Sequence, residues 1–189
     1  MAYVKSNPFT KGTSGTVGDM MNFRVRKGKT IVSMKRGPST KPPTEEQQET
    51  REQFVIASLF AQNAIKDPVI KALYQKAAKG GQTAYNVALR DAMNPPDIYD
   101  VNISGYKGTV GDLITVKARD VITPKSVTVV ISSQTGTVLE QGDAVLQTND
   151  RRIWTYTVTA VNAALTGTRI VVTATDLPGN TSERISTIS

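Results

Sequence analysis

At 189 residues, 39% of them hydrophobic and 21% charged, the chain has room for one ordinary domain or two small ones. It contains neither Cys nor His, which excludes disulfides and thiolate metal sites and removes the usual general base near neutral pH. Its net charge of +7 is uneven: residues 1–43 carry nine bases against one acid, residues 44–94 balance six with six, and residues 95–189 carry eight bases and nine acids.

The first segment alternates as "MNFRVRKGKTIVSMKR", with apolar residues at odd positions from Met21 to Val25. Two strands about Lys27–Gly28–Lys29 predict a β-hairpin with a tight glycine turn. A two-stranded hairpin is marginal in water, so this one is expected to pair with the rest of the chain or with another copy. "RGPSTKPPT" then reads as an extended linker, and the charge step falls with it near residue 43.

Helices follow. Thr44 and Gln47 make a T-x-x-Q capping box, with Glu45 and Glu46 in the first turn, where the helix dipole favours acids. The run to Lys66 has an apolar face of Phe54, Ala57, Leu59, Phe60 and Ala64. Asp67–Pro68 starts a second helix as N-cap and first position, and Lys79–Gly80 ends it. A third, "QTAYNVALRDAM", stops at Pro95–Pro96. Three short helices make a thin core, so they are expected to pack on something else.

From Asp97 the period becomes two. Strands are predicted in "DIYDVNIS", "DLITVKARD", "KSVTVVISS", "TVLEQGDAVLQ", "RRIWTYTVTA", "TRIVVTATD" and "ERISTI", separated by turn signals such as Pro178–Gly179–Asn180. Seven such runs indicate a β-sandwich, with Trp154, Tyr156 and Val158 on one core-facing side. The fold class is thus α+β, mainly β: a basic arm and linker over 1–43, helices over 44–94 and a sandwich over 95–189.

"GTVGD" occurs at Gly15 and again at Gly108. A strand follows each copy, so no helix N-terminus is offered to a phosphate, and only about twelve positions correspond. Turn chemistry used twice is the preferred reading, with glycines supplying positive φ and Asp capping the bend.

No constellation supports catalysis. Asp97 and Asp100 fit solvated charge better than an acid/base dyad. Asp176, Asn180 and Glu183 offer oxygen ligands without EF-hand spacing, so a hairpin turn is preferred to a Ca²⁺ loop. The expectation is a non-enzymatic protein without cofactor or metal.

The basic arm has three readings. It contacts nucleic-acid phosphates, docks on an acidic patch of a neighbouring subunit while adding a strand to its sheet, or deters edge-to-edge aggregation. The second is preferred, because a tethered arm gains most from a partner surface fixed by symmetry. Its candidate contacts are Arg24, Arg26, Lys27, Lys29, Lys35 and Arg36, opposite Glu45, Glu46 and Glu49 of the neighbour. The start "MAYVKSNPFTKG" has no apolar h-region, and no run is apolar enough to insert in a membrane. Synthesis in the cytoplasm without a signal peptide is expected, with a virion or filamentous or tubular assembly as the final location; if the protein works outside the cell, it leaves by lysis or by a route that needs no such signal.

Residues 10–94 resemble uncharacterised small bacterial and phage-associated structural proteins. The shared features are a G-[ST]-G-x-[VL]-G bend near Gly12–Gly18, the Lys27–Gly28 hairpin, a basic strand at Met34–Arg36 and a P-x-T-x-x-Q helix start. At that last feature Thr44 follows Pro43 directly. "GGQTAYNVALRDAM" is also similar to such proteins. The tail, with Ala174, Asp176, Gly179 and Asn180 in "VTATDLPGN", resembles bacterial immunoglobulin-like modules. The resemblance implies an Ig-like sandwich and a structural or assembly role in a virion or particle, in contact with its own copies and with other particle proteins. It brings no catalytic residues.

Overall fold

The structure, a computed structural model, describes residues 2–4 as backbone only, 8–37 and 41–189. Lys5 and residues 38–40 of the linker lie outside it. The chain divides into two compact units, Met1–Glu45 and Glu46–Ser189.

The first unit is a four-stranded antiparallel sheet. Its strands are β1 (Ala2–Val4), β2 (Gly15–Val17), β3 (Met21–Arg26) and β4 (Lys29–Met34), in the order β1-β4-β3-β2. The expected hairpin is β3–β4. Arg26 pairs with Lys29, and Lys27 and Gly28 both take positive φ (+51° and +71°), as a two-residue turn between twisted strands requires. The expectation that the hairpin needs a partner outside its own segment is corrected. β1 covers one side and β2 the other, but three-residue strands carry too little alternation to be read from sequence. Among the described residues of this unit only Thr30 and Ile31 are buried. The Gly12 amide donates to the Thr30 hydroxyl at 2.8 Å, folding the preceding loop onto the sheet.

The second unit opens with α1 (Glu45–Ala64), α2 (Pro68–Ala77) and α3 (Ala84–Met93). Asp67 caps α2 by accepting the amides of Val69 and Ile70 at 2.8 and 3.2 Å. Thr83 caps α3 through the Asn86 amide at 3.2 Å. The expected apolar face of α1 is half wrong. Ala57, Ala61 and Ala64 are buried and Phe60 is partly so, whereas Phe54 and Leu59 remain exposed. Small side chains let α1 approach Tyr74, Val87 and Ala88 closely, and large ones on that side would hold the helices apart. Val121, Ile122 and Leu177, from loops of the sandwich, complete this core, so the helices are not a free-standing bundle.

The sandwich consists of β5 (Asp97–Asn102), β6 (Leu113–Arg119), β7 (Ser126–Ser132), β8 (Val138–Asp143), β9 (Val145–Leu146), β10 (Ile153–Thr157), β11 (Arg169–Thr175) and β12 (Thr181–Thr187). The sheet orders are β5-β6-β10-β9 and β12-β11-β7-β8, all antiparallel. Lettered in chain order they are A-B-E-D and G-F-C-C′, the immunoglobulin arrangement. Alternate residues fill the core: Ile114, Val116 and Ala118 from one sheet, and Val127, Val129, Ile131, Ile170, Val172 and Ala174 from the other. Trp154, Tyr156 and Val158 join them, as their spacing predicts. "TVLEQGDAVLQ" is two strands rather than one. β8 lies in one sheet and β9 in the other, with the single buried residue Ala144 between them.

The two GTVGD copies differ. In the first, Gly15–Val17 is a strand, and Gly18 and Asp19 turn the chain with φ of +58° and +54°. In the second, Gly108 and Gly111 take positive φ. The Asp112 carboxylate accepts the amides of Lys107 and Thr109 at 2.6 and 2.9 Å, which holds its pKa below the usual range. The capping role expected of both aspartates belongs to Asp112, while Asp19 pairs with Lys35.

Candidate functional site

Three places carry charge or ionisable groups in an arrangement with consequences. The first is the basic sheet. Arg24 pairs directly with Ile31, and Arg26 with Lys29, so the three cations share one face with the buried Ile31 among them. Lys27 occupies the turn, and Lys35 and Arg36 follow β4. All six predicted cations are exposed. Lys35 also donates its amide to Met20, locking the open end of the hairpin at 2.8 Å.

The opposite face is apolar. Val17, Met21 and Met34 are consecutive cross-strand partners, so they form a row across three strands. Their exposures are 58%, 43% and 83%, which marks this row as an uncovered surface.

The second place is the outer side of α1. Glu45, Glu49, Glu52, Ile56, Leu59 and Asn63 succeed one another at alternating spacings of four and three, so they line one stripe. It is exposed throughout and turned away from Ala57, Ala61 and Ala64. Glu45 and Glu49 lie on it; Glu46 is exposed but lies off it. Acids occupy the N-terminal half and apolar residues the C-terminal half. Beside Ile56 an open cleft of about 410 Å³ is lined by Gln53, Ala92, Met93, Pro95, Gly179, Asn180 and Thr181, none of them ionisable.

The third place, where the helices meet the sandwich, was not foreseen. Tyr74 of α2 donates its hydroxyl to Asp91 of α3 at 2.6 Å, and both residues are fully buried. Asp120, just after β6, and Asp176, just after β11, lie close enough to repel Asp91. Burial first, then Asp176, pushes Asp91 up to about 6, against the favourable Tyr74 hydrogen bond and Arg90 charge. Burial, with Asp91 and Asp176 added, raises Asp120 to about 7 even though the Val121 amide donates to it at 2.6 Å. Burial and the adjoining Asp91 push the Tyr74 hydroxyl far up. A sequence signal for Asp91 existed: with Ala84, Val87 and Ala88 it falls at i, i+3, i+4 and i+7, a carboxyl on the buried stripe of its helix.

The resembling motif Ala174–Asn180 serves this junction. Asp176 accepts the amides of Gly179 and Asn180 at 2.7 and 2.6 Å and the Asn180 side chain at 2.7 Å. That same side chain reaches the carbonyls of Asp91 and Ala92 at 3.4 Å each. Asp176 and Asn180 are therefore committed to the turn and to holding α3, while Glu183 is exposed on β12. Asp97 and Asp100 form ion pairs across to β6, with Arg119 at 2.8 Å and Lys117 at 3.0 Å. No substrate reaches Tyr74 or Asp91, because neither has exposed surface.

No described helix is long and apolar enough to cross a membrane. No protein-family model matches the chain, and no curated protein matches it. Among solved structures, CopC from Methylosinus trichosporium OB3b aligns over 48% of this chain and 87% of its own, at 17% identity and a TM-score of 0.35. An engineered protein aligns over 48% of this chain and 19% of its own, at 26% identity and a TM-score of 0.33.

Proposed function

We propose that the chain is a non-enzymatic structural subunit that assembles with copies of itself into a filament, tube or phage-like particle, with other particle proteins as further neighbours. The observation that carries this reading is where the charge sits. The whole positive excess of the sequence lies in a separately compact sheet, while the helix that follows presents glutamates along an exposed stripe. Like segments meeting unlike segments is the pattern of a head-to-tail contact, which closes into a ring or continues as a fibre. The arm does not offer a lone strand. It offers a finished small sheet whose outer strands, β1 and β2, each pair on one side among the described residues. Edge-to-edge addition to a neighbour's sheet then supplies main-chain hydrogen bonds, and Arg24, Arg26, Lys27, Lys29, Lys35 and Arg36 supply steering toward Glu45, Glu46 and Glu49.

Deleting residues 1–43 is expected to leave a folded, monomeric helix–sandwich unit, since that unit has its own core. Light scattering and negative-stain microscopy of full-length and truncated protein check this. A truncated chain that still polymerises as the full one does overturns the reading.

A second reading rests on Arg24, Arg26 and Lys29 sharing one hairpin face, a geometry that suits phosphate contact by a nucleic-acid-binding protein. It requires duplex-DNA affinity to fall with salt at a log–log slope of roughly −3 for three neutralised phosphates. Polymers that form identically with and without DNA set this reading aside.

A further inference from the structure

We infer that the Met21–Met34 face of the basic sheet docks on the Ile56–Leu59 half of α1 in a second copy of this chain. The inference rests on the subunit reading above and adds to it a second contact, made by a face of the sheet and not by its strand edges. Two surfaces are left uncovered, and they match in both chemistry and charge order. On the sheet, Val17, Met21 and Met34 form an exposed row, and Lys35 and Arg36 follow Met34 directly. On the helix, Ile56 and Leu59 are 67% and 55% exposed, and Glu52 and Glu49 precede them by one and two turns on the same stripe. With β4 running toward the N-terminus of α1, seating the methionines on Ile56 and Leu59 brings Arg36, two residues past Met34, to the side of those glutamates.

Neither surface gives a reason for its exposure within its own unit. Large apolar side chains exposed on a helix and rimmed by charge mark an interaction site. Methionine is the adaptable side chain for such a contact, because its unbranched chain fits irregular surfaces. The open cleft beside Ile56, about 410 Å³ and bordered by Met93 and Pro95, has room for one such side chain. The occupant is a second copy because both halves of the match belong to this chain: the apolar row ends at Met34 with Arg36 two residues on, and Ile56 follows Glu52 and Glu49.

The absence of cysteine makes the test direct, since any disulfide must join introduced residues. Full-length chains carrying Met34→Cys and differently tagged chains carrying Leu59→Cys are mixed and oxidised, with Thr135→Cys on the exposed β7–β8 turn as the control partner. The expected result is a mixed dimer between the Met34→Cys and Leu59→Cys chains, in about tenfold excess over the control pair, because docking raises the effective concentration of the two thiols. The double variant Ile56→Glu, Leu59→Glu, with its circular dichroism unchanged, is expected to lose assembly. Chains that are monomeric by light scattering before oxidation sink the subunit reading and this contact with it. Assembly that persists without the mixed link, or in the double variant, overturns the contact alone. A doubly substituted Met34→Cys, Leu59→Cys chain that links only within itself also overturns it, because the sheet then sits on its own helix.

Discussion

The helix–sandwich unit will lose stability as the pH is raised from 4 to 8. Asp91 and Asp120 are held at about 6 and about 7 in the folded protein, against 3.8 for an unhindered aspartate. Between these values the native state keeps protons that the unfolded chain has released. Stability therefore falls with rising pH in that window: it is complete below about pH 4 and lost as the pH passes through 6 and 7. At about 1.4 kcal/mol for each unit of displacement, Asp91 alone accounts for roughly 3 kcal/mol, and Asp120 acts in the same direction. Asp112 and Asp150 are displaced the other way, by amide and arginine hydrogen bonds, so their contributions are present above pH 4 and vanish only below it. They leave the window to the buried pair. Urea unfolding followed by the fluorescence of Trp154, the only tryptophan and a core residue of the sandwich, gives the profile. Asp91→Asn keeps an oxygen for the Tyr74 hydroxyl and removes the ionisation. It is expected to flatten the profile and to make the variant more stable than the parent at pH 8. An unchanged profile in Asp91→Asn means that the junction is not the source.

Gly108→Ala will be among the costliest single methyl groups placed in the chain's turns. A Cβ there stands 2.3 Å from the carbonyl oxygen of Asn162 and 2.9 Å from Leu165 Cδ2, at a φ of +78°. The oxygen cannot step aside, because the loop is tied back by the Asn162 amide donating to Gly108 at 2.9 Å. Strained backbone and a main-chain clash together are expected to remove more than about 3 kcal/mol from the sandwich, seen as a loss of Tm in the Trp154 signal. The equivalent glycine of the first copy, Gly15, has a φ of +117° and no atom within 4 Å of its would-be Cβ. Gly15→Ala should cost about 1–2 kcal/mol in backbone strain alone and leave the Trp154 transition where it was. If the two substitutions have equal effects on that transition, the reasoning from close contact is wrong.

This contrast also shows what sequence patterns convey. The seven sandwich runs were legible because alternation over five to seven residues, closed by glycine and proline turns, has few alternatives. The split of the fourth run at Ala144 was not legible, because a strand that changes sheets keeps its alternation while its partners change. Phe54 and Leu59 were assigned inward on apolar character. Close helix approach kept Ala57 and Ala64 of that face and added Ala61, a choice that depends on the facing surface and not on α1 itself. For the candidate site, the basic residues and the glutamates were visible as composition. The row Val17–Met21–Met34 needed the register of three strands, and Gly15–Val17 is too short to announce itself as one of them. The Tyr74–Asp91 contact joins two helices across a turn of unmarked geometry, although the carboxyl on a buried stripe was there to be noticed.

The passage between the two sheets at Ala144 bears on how the sandwich would carry a mechanical load. Most links between the layers are loops with slack, but here the last residue of β8 and the first of β9 are separated by one residue. That residue is anchored in turn, since the Ala144 amide donates to Val127 of β7 at 2.7 Å. With about 3.8 Å between successive Cα atoms, this corner gives the layers almost no travel before covalent bonds take the strain. Shear applied along one layer reaches the other at this point as tension in the backbone, and the opposite margin of the sandwich has to yield first.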